Sequence, residues 1–110
     1  MKYIKNYING QLLEPVLNQY IDNIDPSRGT VYSQIPSSTK EDVELAVKAS
    51  KEAFPIWSIT PAATRSEIIK KIASEMERRQ DELVTAVSQT MGCPQHIASW
   101  LQIEGAVYAM

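Results

Sequence analysis

The sequence predicts an α+β fold over its 110 residues, N-terminal β-hairpins followed by about four helices. Three features predict it. Asn9-Gly10 stands between two β-branched and aromatic runs, the pattern of a tight hairpin. Hydroxyls at Ser37-Ser38-Thr39 precede Glu41 and Asp42, the pattern of a helix start. Further on, Ile68, Ile69, Ile72, Ala73 and Met76 recur at the three-and-four spacing that lays apolar side chains along one helical stripe. Glu67, Lys70, Lys71, Glu75 and Arg78 fall elsewhere on that helix.

In chain order, Tyr3 to Ile8 reads as a first strand that runs into Asn9-Gly10, with Gln11 to Leu13 returning. After Glu14-Pro15, Tyr20 to Ile24 reads as a third strand, closed by Asp25-Pro26-Ser27-Arg28-Gly29. There proline presets φ for the turn and glycine provides a left-handed exit. Val31, Ser33 and Ile35 alternate with more polar neighbours up to Pro36 and make a fourth strand.

The first helix is expected over Lys40 to Phe54, with Val43, Ala46, Val47, Ser50 and Phe54 as its buried face. Pro55 should end it, because the residue before a proline is pushed out of helical conformation. Trp57 then falls in a short turn, and Thr60-Pro61 restarts the helix, the hydroxyl as N-cap and the proline at the first helical position. Periodicity through Leu83, Val84 and Val87 allows one long helix or two; Asp81 as N-cap favours two. Gly92 followed by Pro94 stops the run, and a last helix covers Gln95 to Met110 with Ile97, Leu101, Glu104 and Tyr108 along one stripe. These elements group into a β-hairpin arm, residues 1–36, and a helical layer, residues 37–110.

Composition is that of an ordinary globular protein, 44% apolar and 22% charged, and it names no function. A net charge of −2 gives no clustered basic surface, so neither nucleic acid nor an anionic membrane is expected as a partner. There is no signal-peptide pattern and no run of 18 apolar residues, and the single cysteine, Cys93, has no internal disulfide partner. The expectation is an intracellular, cytoplasmic protein.

Candidate chemistry is sparse. Cys93 and His96 form a tempting pair at a helix start, where a thiolate would be favoured, but no orienting third group or oxyanion donor accompanies them. One cysteine and one histidine fall short of a zinc site, so no metal ligands are assigned. Glu75, Glu77, Asp81 and Glu82 are interleaved with Arg78 and Arg79, as on a solvated helix face. The four glycines, Gly10, Gly29, Gly92 and Gly105, stand too far apart to cradle a phosphate. Trp57 and Trp100 read as packing anchors beside apolar stripes. No catalytic or cofactor-binding residue is assigned within the chain.

Taken together and in order, Tyr7-Ile8-Asn9-Gly10, Asp25-Pro26-x-x-Gly29, Thr39-x-Glu41-Asp42-Val43, Ala46-Val47, Ala53-Phe54-x-x-Trp57, Arg65, Ile69-x-x-Ile72-Ala73, Glu77-x-Arg79-x-x-Glu82-Leu83 and Met91-Gly92-x-Pro94 resemble the N-terminal segment of the aldehyde dehydrogenase superfamily. The resemblance implies an α/β parent with a Rossmann-type coenzyme domain, of which this chain would be the N-terminal part. It implies NAD(P)-dependent oxidation of an aldehyde to a carboxylic acid through a cysteine thiohemiacetal, in an enzyme several times longer that assembles as a homo-oligomer. It also implies that the nucleophile, the general base, the oxyanion donor and the nucleotide contacts lie beyond Met110, so Cys93 is not the nucleophile.

Two positions depart from the family pattern. Thr90 stands where relatives often carry an acidic residue that helps hold a structural cation, leaving the backbone at Ile24 as the remaining donor; Cys93 stands where lysine is common. The helix after Pro94 resembles the one that lines the family's aldehyde entrance tunnel, and the tunnel positions map to Leu101 and Gly105, four residues apart. On this reading the isolated segment binds neither NAD nor NADP and self-associates through apolar surface meant for the rest of the enzyme. The competing readings are a free-standing helical interaction module that presents the Ile68/Ile72/Met76 stripe or the final helix, and a small thiol enzyme using Cys93.

Overall fold

The computed structural model describes residues 1–110. Strands precede helices, and the chain divides into two compact units, residues 1–24 with 31–59, and residues 25–30 with 60–110.

In the first unit, β2 (Asn6–Ile8) and β3 (Gln11–Leu13) pair antiparallel with Tyr7 opposite Leu12. Asn9 and Gly10 both take positive φ, 51° and 76°, the type I′ turn that the pair predicts. The run expected as one strand from Tyr3 is divided. β1 (Lys2–Tyr3) lies parallel to β5 (Thr30–Pro36), Lys2 opposite Ser33, while β2 turns away to its own hairpin. Pairing decides this, because the two halves bond different neighbours; the Ile4 N–H is still held by the Gln34 carbonyl at 2.8 Å. β5 is the centre of a three-stranded sheet in the order β1-β5-β4, β4 being Tyr20–Asp25. Ser33 is fully buried on this strand and accepts from Asn23 Nδ2 at 3.1 Å.

Helix α1 spans Lys40–Ile59. Its start is the expected capping box: the Asp42 carboxylate accepts from the Thr39 N–H at 2.8 Å and the Thr39 hydroxyl at 3.2 Å. Its other oxygen accepts the Val16 N–H at 2.9 Å, tying the loop after β3 to the helix. The expected stop at Phe54 is wrong. Pro55 lies inside the helix, and one more turn follows, with Trp57 in it and the Ser58 hydroxyl donating to the Pro55 carbonyl at 3.2 Å. Proline's effect on its predecessor is a bias, and losing one N–H bond a turn from the end does not outweigh continuing the helix.

In the second unit, α2 (Ala62–Arg78) begins one residue later than expected, with Pro61 as N-cap. The chain breaks at Arg79 (φ −105°, ψ 23°), and α3 (Gln80–Met91) follows. Two helices are therefore right, but Asp81 lies in the first turn of α3, not at its N-cap. The charge pairs fall to either side of the break: Arg78 bonds back to Glu75 at 2.8 and 2.5 Å, whereas Arg79 bonds forward to Glu82 at 2.7 Å. Gly92 ends α3 in the left-handed region (φ 70°, ψ 14°), its N–H bonded to the Ser88 carbonyl at 2.8 Å.

The last helix is one rod in three parts: α4 (Gln95–Ile97), a π-helical stretch (Ala98–Glu104) and α5 (Gly105–Ala109).

Apolar burial is scant. Ala98 and Ile103, 0% and 5% exposed, are buried along with Pro15, whereas Phe54 is 65% exposed. Val43 and Val47 on α1 and Ile68, Ile69 and Ile72 on α2 are also exposed, while Ala46, Ala73 and Met76 are half-buried, so each expected stripe is only partly covered within this chain. Trp57 and Trp100, expected as packing anchors, are likewise exposed.

Candidate functional site

The wall of the last helix is the feature with the most to offer chemistry. Pro94 (φ −57°, ψ 141°) starts the rod, and its carbonyl accepts from the N–H groups of Ile97 and Ala98, both at 3.0 Å. From Ala98 the helix widens to π geometry, in which a residue bonds five positions along and residues five apart share a face. Ala98 and Ile103, five apart, are accordingly the two that face inward.

The stripe Ile97, Leu101, Glu104 and Tyr108 lies on the outside of the rod. All four are exposed, and three of them share one face of the helix. Leu101, Glu104 and Tyr108, with Trp100 and Gly105, line a shallow open hollow of about 370 Å³. Leu101 and Gly105 both lie on it. A Cβ built on Gly105 would meet only the Trp100 carbonyl oxygen, at 4.0 Å, so side-chain volume could be added there.

Behind the hollow, α3 reaches across to the π stretch. Gln80 Nε2 donates to the Ser99 hydroxyl at 2.8 Å and to Glu104 Oε1 at 3.3 Å, and the Ser99 hydroxyl donates to the same Glu104 oxygen at 3.2 Å. Nothing in the sequence pattern pointed to Gln80 or Ser99, since a contact between residues 19 positions apart has no local signature.

Elsewhere the candidates resolve into structure. Cys93 is half-buried and His96 exposed, and the Cys93 carbonyl accepts from the Ser88 hydroxyl at 2.8 Å, which fixes the turn between α3 and α4. Glu75 and Glu82 are held below the usual carboxylate range, in each case chiefly by the hydrogen bond from the arginine beside it, Arg78 and Arg79. Both pairs are exposed, as expected of a solvated face. The Thr90 hydroxyl donates to the Ala86 carbonyl within its own helix at 2.7 Å. Gly10, Gly29 and Gly92 occupy separate turns, and Gly105 lies within a helix; no two of them combine into a loop that could cradle a phosphate. No group of three or more His, Cys, Asp or Glu side chains is placed to hold a metal ion.

Comparison with known proteins places this geometry in context. The sequence profile described as "Aldehyde dehydrogenase family" matches residues 14–110. The 2-aminomuconic semialdehyde dehydrogenase of Mus musculus is 38% identical over 104 residues, covering 94% of this chain and 21% of that protein. The protein of the same name in Danio rerio is 44% identical over 94 residues, covering 84% and 19%. Among solved structures, the NAD⁺ complex of an aldehyde dehydrogenase from Bacillus cereus superposes with a TM-score of 0.91 at 27% identity, over 96% of this chain and 22% of that one. The chain thus spans about a fifth of the length of the curated relatives it matches.

Proposed function

We propose, on the premise that this chain belongs to the aldehyde dehydrogenase family, that it forms the N-terminal part of a longer enzyme that oxidises an aldehyde to a carboxylic acid. The observation that carries this reading is the match over residues 14–110, nearly the whole chain, to that one family. NAD is the favoured hydride acceptor, supported by the relative solved with NAD⁺; NADP is the alternative that the assay below decides. In the reaction, a cysteine outside this segment adds to the aldehyde carbonyl and forms a thiohemiacetal. Loss of hydride then gives a thioester that water hydrolyses.

The residues present do not build a nucleotide site, because the glycines are dispersed and no glycine-rich turn leads from a strand into a helix. This segment's contribution is scaffold and wall. Its exposed stripes on α1 and α2 pack against the remainder of the enzyme, and Leu101 and Gly105 line the path by which the aldehyde enters. A cytoplasmic homo-oligomer completes the reading, in keeping with a lone Cys93 that has no disulfide partner.

The test is to express the full-length reading frame that contains this segment and to follow reduced nicotinamide formation across a panel of aldehydes with NAD and with NADP. Aldehyde-dependent reduction of one of them is expected. A pure, folded protein that reduces neither with any aldehyde overturns the proposal.

A further inference from the structure

The π stretch decides which side chains face the hollow. In an unbroken α-helix, Leu101 and Gly105 follow Ala98 by three and seven residues, so both would share the face of Ala98, which is fully buried. In the structure the inner companion of Ala98 is Ile103, five residues on, and both Leu101, 55% exposed, and Gly105 are turned outward to the hollow. The widened turn is what puts this pair on the open face.

That turn has an identifiable support. Residues five apart on an α-helix lie about 140° apart around the axis, too far for short side chains to meet. Ser99 and Glu104 are five apart and share a hydrogen bond of 3.2 Å, a contact that π geometry permits and that an α-helix breaks. Gln80 Nε2, projecting from the first turn of α3, bonds both of them and closes a three-membered clamp.

We propose that Gln80 and Ser99 are positioning residues for substrate size: by holding Glu104 in the π register they keep Leu101 and Gly105 turned to the aldehyde path. This rests on the reading of that face as the path. Breaking the clamp lets the stretch relax toward α geometry, withdraws Leu101 and Gly105, and presents a different wall to the aldehyde.

The experiment measures, in the full-length enzyme, the ratio of kcat/KM for benzaldehyde to that for propanal, a ratio that cancels any general loss of active protein. Gly105→Phe tests the path itself and is expected to lower the ratio. Gln80→Leu and Ser99→Ala are expected to shift it by about threefold or more, the scale of one lost hydrogen bond. Ser99→Thr, which keeps the hydroxyl, is expected to retain the wild-type ratio. If Gly105→Phe moves the ratio while Gln80→Leu and Ser99→Ala do not, the clamp inference is overturned and the path reading stands. If Gly105→Phe leaves the ratio unchanged, the path reading falls and takes the inference with it. Hydrogen–deuterium exchange over residues 98–105 provides a second check independent of turnover: faster exchange in Ser99→Ala is expected, and an unchanged profile overturns the clamp.

Discussion

Gly92 is seated against Pro26: a Cβ added at position 92 would come within 2.9 Å of Pro26 Cγ. The turn that follows Asp25 and the end of α3 therefore interlock, and the left-handed conformation of Gly92 (φ 70°) adds a second reason for glycine there.

Gly92→Ala should destabilise the full-length protein by more than the left-handed backbone alone accounts for, which is about 1–2 kcal/mol. Gly29→Ala is the control, because Gly29 has a similar φ of 67° but nothing within 4 Å of its added Cβ. Denaturant unfolding of both variants decides it. Equal losses would show that the contact with Pro26 contributes nothing.

Stability should fall on acidification through Asp42. Its carboxyl is held below its ordinary value of 3.8, first by the Thr39 N–H and then by the Val16 N–H, against the opposing effect of burial. A carboxyl whose folded pKa is depressed contributes stability that is fully present above the unfolded pKa, and that is lost as pH falls through the folded one. Thermal unfolding followed between about pH 5 and pH 3 should therefore show a progressive loss, and Asp42→Asn should be less stable at neutral pH and show a shallower decline. An Asp42→Asn profile parallel to wild type would rule the cap out as a source of the pH dependence.

The 110-residue chain alone should self-associate and bind NAD no better than an unrelated protein. The apolar faces of α1 and α2 are open, with Val43, Val47, Phe54, Ile68, Ile69 and Ile72 all exposed. Sedimentation velocity should show concentration-dependent association, reduced by Ile72→Glu, and calorimetry should show no saturable NAD binding. A monodisperse monomer that titrates with NAD would contradict both expectations.

Cys93→Ser should leave the aldehyde activity of the full-length enzyme unchanged. The hydrogen bond that fixes this turn runs from the Ser88 hydroxyl to the Cys93 backbone carbonyl, which the substitution retains. Abolished turnover in a folded Cys93→Ser enzyme would return the thiol to the list of candidate nucleophiles.

Local chemistry makes much of this chain legible from its sequence. Asn9-Gly10 needs no tertiary help to favour a type I′ turn, Asp42 caps α1 from three residues away, and Gly92 stops α3 by its own freedom at positive φ. Each of these rests on residues within a few positions of one another. The ordered motifs from Tyr7 to Pro94 pointed in the same way to the aldehyde dehydrogenase family. What the sequence could not settle depends on partners remote in the chain. β1 leaves its hairpin because Ser33 and Gln34 offer it a parallel neighbour. The helix continues through Pro55 because a local bias is weaker than the turn that follows. Ala98 and Ile103 share the inner face of the last helix because the stretch between them is π-helical, and Gln80 meets Ser99 there from another helix; helical periodicity assumes 3.6 residues per turn and cannot anticipate a wider one.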